Sequence, residues 1–301
     1  MIMQFASILS QYGTCHVAVY VDGKVIDLQS SEVSIAGRPD PIFDNLVSFL
    51  KTGEYGLDRA EMLTQQALMR GWWQESEKIT FLPPTIPSVF LGLGYNYKQL
   101  ASHEGLAFNK KPELFTKLPG CAVGHNQPIQ VPRGIDKIDY EAELGVVIGR
   151  TAKRVKVKDA LKYVGGYTAV NDVTAKIIPR PPEAGSIIVP LKAVDSFGPM
   201  GPTLISTREI PDPQKLTMLC RVNGIEKQRF STDDMVHSVA EVIEYVTERI
   251  TLNPGDVITT GTSLGIGIVK KPPEFLKEGD VVEVQIEGYP FLRNKVQWEK
   301  E

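Results

Sequence analysis

Two glutamates, Glu141 and Glu143, stand two residues apart in the stretch DYEAELGVVIGR, Asp139 to Arg150. The stretch has the composition of a β-strand running into a core, and in a strand residues i and i+2 point to one face. An unpartnered ionised carboxylate is costly to bury, and a second on the same face adds repulsion. Such a pair must protonate, recruit a cation or lie at a wet edge. No Lys or Arg alternates with the two acids. Gly145 and Val147 continue their face and Tyr140, Ala142 and Leu144 take the other, so neither side reads as wet. Hard divalent cations such as Mg²⁺, Mn²⁺ or Ca²⁺ take oxygen ligands and would settle the pair. Spacing alone leaves an exposed strand edge open as the alternative, because Glu-x-Glu is common on half-solvated strands. Asp172, closing a second apolar stretch, GYTAVND, is either a third ligand or the cap of the turn after it.

The elements around these acids are mostly strands. Residues 15 to 28, CHVAVYVDGKVIDL, predict a hairpin turning at Asp22-Gly23. A helical pattern follows from Leu57, with Asp58 as cap, Glu61 three residues on, and Trp72 and Trp73 read as packing. Three prolines in FLPPTIPSVF forbid a helix or central strand and mark a boundary near 80 to 87. This divides a small N-terminal β/helix domain, 1–83, from a larger domain, 84–301. In the larger one, FLGLGYNY, DYEAELGVVIG and GYTAVND predict strands, with a short helix from Asp159 to Val164. After the proline-rich loop PRPPEAG come an Asn223-Gly224 hairpin and an amphipathic helix over 233–250, capped by Ser231 or Thr232. Glycine–aspartate turns punctuate the β-rich remainder. Strands outnumber helices without alternating regularly, which predicts an α+β fold and disfavours a doubly wound nucleotide fold.

The chain has 301 residues, 42% hydrophobic and 23% charged, enough for a sizeable core and a small appended domain. A net charge of -3 gives no basic excess to attract nucleic acid or an anionic membrane, which points to small-molecule chemistry. Cys15, Cys121 and Cys220 form no CxxC pair, which disfavours a disulfide framework or zinc knuckle. The opening MIMQFASILSQYG lacks a basic leader, and no apolar run approaches the ~18 residues of a span. The expected location is therefore the cytoplasm.

From about Ser88 to Val296 the chain resembles the fumarylacetoacetate hydrolase family, through GLGYNY, DYEAELGVVIG, GYTAVNDVTA, DSFGPMGP, GDVITTGTSLGIG and GDVVEVQIEGYPFLRNKV. The resemblance implies a mixed β-roll, usually a homodimer, with a Mg²⁺ or Mn²⁺ site acting on 2-oxo acids and 1,3-dicarbonyl compounds. It places the metal ligands at Glu141, Glu143 and Asp172. Lys192, before DSF, and Thr262, in the TGT turn, resemble the residues that hold the substrate's carboxylate and oxo group. Tyr97 of GLGYNY and Lys176 complete the implied substrate contacts. GTSLGIG looks faintly like a phosphate loop but has no lysine after its last glycine.

Two departures from the family pattern stand out. Family members carry a water-activating His and, three residues later, Glu after NY; NYKQLASHEG has Leu100 and His103 there, with Glu104 one residue further. On a helix residues 100, 103 and 104 share a face, which makes His103 with Glu104 a candidate for a relocated base, set against a plain surface histidine. His16, His125 and His237 are assigned to packing or solvent. The family's Arg and Gln after Asp172 are Lys176 and Pro179 here.

These features imply a metal-dependent hydrolase or lyase that cleaves a C–C bond in an acylpyruvate or fumarylpyruvate. A 2-oxo acid grips a divalent cation through carboxylate and oxo oxygens, and the developing enolate is stabilised by cation and Lys192. Oxaloacetate-type decarboxylation and keto–enol isomerisation remain open, since losing the dyad hurts hydrolysis most. A catalytically silent ligand-binding member is the alternative from outside enzymology.

Overall fold

A computed structural model describes residues 3–176 and 191–300; Pro179 and the PRPPEAG loop lie outside the described residues. The N-terminal hairpin forms as expected, Cys15–Val21 against Lys24–Asp27, with Asp22 and Gly23 at φ 48° and 80°. Positive φ at both central residues is what its tight turn requires. The first long helix differs from expectation, spanning Glu54–Arg70. Gly53, at φ 58°, begins it a turn early, because Gly56 and Ala60 pack inward; Asp58 is interior and caps nothing.

A twelve-stranded sheet carries the molecule. Its N-terminal strands join the larger part directly, because Gln4–Leu9 pairs antiparallel with Gly198–Ile205. Next in order come Val164–Asn171, Ala142–Ile148, Val257–Thr259, Phe90–Gly94 and Glu113–Lys117. A five-stranded sheet, which includes Thr217–Val222, Val281–Ile286 and Leu292–Trp298, packs against it. Mixed sheets with few helices make an α+β fold.

The strand Ala142–Ile148 is buried along its whole length. Leu144, Val146 and Ile148 join the core of the larger part, whereas Val147 joins Phe5, Phe43 and Phe49 of the N-terminal unit. Both faces are therefore dry, as the residue pattern implies. The helix expected over 233–250 shortens to Val239–Thr247. Ser238 and Glu241 close a reciprocal capping box there, and Ser231 instead caps the separate turn Thr232–Asp234. The expected 159–164 helix is Val157–Ala160 followed by a tight turn over Leu161–Tyr163, with Val164 already in the next strand. Among the described residues, no helix is long and apolar enough to cross a membrane.

Candidate metal centre and cavity

Antiparallel pairing brings the three acids together. Ala142 lies opposite Asn171, so one step beyond the ladder Glu141 faces Asp172. The Asp172 N–H donates to the Glu141 carbonyl at 2.9 Å, and the Glu141 N–H donates to Asn171 Oδ1 at 3.1 Å. With period two, Glu141, Glu143 and Asp172 share one face. Each offers a carboxylate oxygen within 4.8 Å of the others, and all three side chains are buried.

Cations absent from the local sequence arrive from elsewhere in the fold. Lys176 and Lys192 place Nζ 2.9 and 2.7 Å from Glu141 Oε1 and Oε2, and Thr174 Oγ1 donates to Oε1 at 3.0 Å. Burial alone would raise the Glu141 pKa, but the two ammonium groups outweigh it and hold the carboxyl well below its ordinary range. Lys117 donates to Asp172 Oδ1 at 2.5 Å, and Lys192 also bonds Asp172 Oδ2. Burial works against the charge on Lys192, yet Asp172 and Glu141 raise its pKa above the usual lysine value.

Glu143 is different. Its carboxylate accepts the Gly261 N–H at 2.8 Å, and among the described residues no ammonium or guanidinium lies within ion-pair distance. Burial, reinforced by Asp172, pushes its pKa well above the ordinary value. A buried carboxylate without a counter-ion, beside two other oxygen donors, fits a hard divalent cation. Glu141, Glu143 and Asp172 are the residues that could hold it.

A cavity of about 390 Å³ opens beside the triad, with Tyr95, Leu100, Glu104, Lys192 and Thr262 among its lining. Thr262 Oγ1 accepts from Gln228 Nε2 at 2.9 Å, which leaves the hydroxyl proton free to be donated into the cavity. Asn96 braces this wall: its Nδ2 donates to Thr260 O at 2.9 Å, and its Oδ1 accepts the His237 N–H at 2.9 Å. Lys192 Nζ sits 4.8 Å from the centre of the Phe115 ring, another part of the lining.

Two expected site residues lie elsewhere. Tyr97 is wholly buried, its ring edge-on to Phe230 at 4.9 Å, and it does not line the cavity. Tyr95 takes that place instead, in a left-handed conformation at φ 48°, with burial and Glu104 raising its pKa. His103 ends the short helix Lys98–His103, exposed and not among the residues that line the cavity, whereas Leu100 and the likewise exposed Glu104 do line it. The helix buries Leu100 and Ala101. At ~100° per residue, Glu104 lies close to that inward direction and His103 is turned roughly 110° from it. The expected His103–Glu104 pair is therefore split.

Lys117, Tyr95 and Gln228 escaped the sequence reading. A lysine ending ELFTK and a glutamine in the alternating IEKQRFS carry no local signal of a site, because what pairs them is remote in sequence. Tyr95 had the better signal, as the other tyrosine of GLGYNY. His16 bonds Asp27 at 2.9 Å, His237 bonds Asn109 O at 2.9 Å, and burial lowers the pKa of His125 to about 4.

Comparison with known proteins agrees with this architecture. The family described as fumarylacetoacetate (FAA) hydrolase C-terminal matches residues 90–297. The chain belongs to the fumarylacetoacetate hydrolase family. The mitochondrial oxaloacetate tautomerase FAHD2A of Bos taurus is 35% identical over 277 residues, 91% of this chain and 84% of that protein. The fumarylacetoacetate hydrolase of Exiguobacterium antarcticum superimposes with a TM-score of 0.80 at 29% identity, covering 99% of this chain and all of that one. The 2-hydroxyhepta-2,4-diene-1,7-dioate isomerase of Mycobacterium marinum does so at 0.72 and 26% identity, again over 99% of this chain and all of that one. The family thus includes hydrolases, isomerases and tautomerases, and this chain carries a buried acidic group suited to a metal.

Proposed function

We propose that the chain catalyses keto–enol tautomerisation of a small 2-oxo acid, with Mg²⁺ or Mn²⁺ held by Glu141, Glu143 and Asp172. The observation that carries this reading is Leu100. It lines the cavity at the position where the hydrolytic members carry the histidine of their dyad, and His103 lies outside. Hydrolysis needs a water deprotonated beside a second carbonyl, whereas tautomerisation needs one proton moved between carbon and oxygen. An apolar side chain in that place keeps water away from the enolate.

When bound, the divalent cation supplies electrophilic polarisation of the 2-oxo group. The protein's own groups do the rest. The Lys192 ammonium offers a positive charge to the carboxylate or the developing enolate, and the Thr262 hydroxyl donates to a substrate oxygen. On this reading Glu104, which lines the cavity, takes a proton from the carbon next to the oxo group and returns it to oxygen. Atoms balance, since the same proton leaves carbon and reappears on oxygen, and no bond between carbons breaks.

Glu104 in the cavity also favours a second reading, C–C hydrolysis of an acylpyruvate, with that carboxylate alone as the base for water. Purified protein with Mn²⁺ separates the two. Given enol-oxaloacetate and acetylpyruvate, it is expected to accelerate interconversion of the tautomers with no release of pyruvate, followed by ultraviolet absorbance and proton NMR. Pyruvate formation from acetylpyruvate at a rate matching or exceeding tautomerisation would overturn the first reading in favour of the second.

A further inference from the structure

One oxygen of Asp172 is occupied by a residue that none of the chemistry above uses. Lys117 ends the strand Glu113–Lys117 with no side-chain exposure. Its Nζ lies 2.5 Å from Asp172 Oδ1, 2.6 Å from the Lys192 carbonyl oxygen and 3.5 Å from Val173 O. An ammonium group has three donors and no acceptor, so these three oxygens saturate it. Burying a lysine is unfavourable unless it is paired, and Asp172 is the only carboxylate within its ion-pair range among the described residues. Its partners come from two separate walls of the site, Asp172 and Val173 on one and the Lys192 backbone on the other.

Lys192 meets the same carboxylate from the opposite side. Its Nζ bonds Asp172 Oδ2 and lies 2.7 Å from Glu141 Oε2, and the side chain is 13% exposed where it lines the cavity. Asp172 therefore carries one ammonium sealed in the core and another that faces the substrate space. The second stands between two of the oxygens that a metal would take.

We propose that Lys117 is a positioning residue and Lys192 an exchangeable counter-charge on Asp172. By filling Oδ1, Lys117 leaves Oδ2 as the one oxygen presented to a metal, and by holding the Lys192 carbonyl it fixes the base of the lysine that meets substrate. Lys117, Lys176 and Lys192 pair with Asp172 and Glu141, and Lys176 Nζ also lies 3.9 Å from Asp139; a divalent ion would add positive charge there, which moving the Lys192 ammonium off Oδ2 toward the substrate's carboxylate would relieve. This rests on the metal reading of the triad.

The two lysines then affect metal binding differently. Mn²⁺ affinity is to be measured by electron paramagnetic resonance of the free ion for wild type, Lys117→Met, Lys117→Arg and Lys192→Met, with folding followed by circular dichroism. Lys117→Met is expected to bind Mn²⁺ at least about tenfold more weakly, with Lys117→Arg recovering part of the loss. Lys192→Met is expected to bind as tightly as wild type or several-fold more tightly. A folded Lys117→Met with unchanged affinity, or a Lys192→Met weakened as much as Lys117→Met, overturns the proposal. Should Lys117→Met not fold, a crystal structure of the wild type with Mn²⁺ decides. Monodentate Asp172, with Lys117 still on Oδ1 and Lys192 moved off Oδ2, supports the inference; bidentate Asp172 or a displaced Lys117 sinks it. Wild type that binds no Mn²⁺ defeats the metal reading itself, whereas binding without the lysine contrast defeats only this inference.

Discussion

The backbone N–H of Asp172 donates to the carbonyl of Glu141 at 2.9 Å, the last rung between two neighbouring strands. That rung converts sheet register into ligand geometry. A slip of one residue would turn either acid to the opposite face, so the triad and the pairing of Ala142–Ile148 with Val164–Asn171 stand or fall together.

Glu143→Gln gives opposite stability effects with and without metal. In the metal-free protein, at a pH high enough to ionise it, Glu143 is a buried carboxylate facing Asp172 with no ammonium of its own, so under those conditions a neutral isostere relieves desolvation and repulsion. The melting temperature of the metal-free variant is expected to exceed that of wild type by a few degrees. With Mn²⁺ the order reverses, because wild type gains binding energy that the variant loses, and Mn²⁺ affinity falls about 100-fold or more. Calorimetry of both proteins with Mn²⁺ and with chelator checks the crossing; equal metal-induced shifts would count against Glu143 as a ligand.

The same carboxyl couples metal binding to protons. Its folded-state pKa lies above the unfolded value, so its contribution to stability is full below the unfolded value and is lost as pH rises through the folded one. Asp139, raised by burial from 3.8 to about 6, acts in the same direction. Glu141, held low by its lysines, works the other way and is felt only in acid. Metal-free protein is thus expected to lose melting temperature as pH rises from 3.8 to about 6 through the Asp139 range, and to go on losing it above that as Glu143 ionises, with Mn²⁺ reducing the later loss. Mn²⁺ uptake at neutral pH should release protons from Glu143, seen as a buffer-dependent heat in titration calorimetry; no buffer dependence would mean that Glu143 is already ionised.

How far the site could be read from the chain depended on whether the relevant contact was local. The Glu141–Glu143 spacing fixes a shared face because strand periodicity is a local property, and the cost of burying both acids already called for cations. Their contacts were not legible: the resemblance marked Lys176 and Lys192 as substrate residues, but their pairing with Glu141 and Asp172, and the arrival of Lys117 beside them, are set by the fold. Helix ends failed for a related reason. Asp58 and Ser231 are good caps in sequence, yet Gly53 and Ser238 occupy the cap positions, because inward packing sets where each helix starts. His103 was misplaced because a shared helical face says nothing about which edge of that face points inward.

The split of that helix gives a paired prediction. His103→Ala should leave the rate within about twofold of wild type, since an exposed surface substitution touches neither cavity nor core. Glu104→Gln keeps shape but cannot accept the proton, and kcat should fall by about 10² or more with KM little changed. Steady-state kinetics of the tautomerisation checks both. A large effect of His103→Ala would restore the histidine as base and require the helix to rotate on binding substrate.

Gly92 tests the support beneath Lys192. A Cβ built there would lie 2.2 Å from Phe115 Cζ, and that ring lies 4.8 Å from Lys192 Nζ. Gly92→Ala must push the ring aside, an overpacking cost of ~1–3 kcal/mol, which for a chain of this size lowers the melting temperature by a few degrees. Moving the ring also moves the surface against which the ammonium rests, so KM for the 2-oxo acid should rise along with the loss of stability. The double variant Gly92→Ala/Phe115→Leu separates these effects. Leucine removes the ring and with it the clash, so stability should largely return, while the raised KM should persist because the cation–π contact is gone. If stability and KM recovered together, the ring would be a packing element only, and Lys192 would be held in place by Asp172 and Glu141 alone.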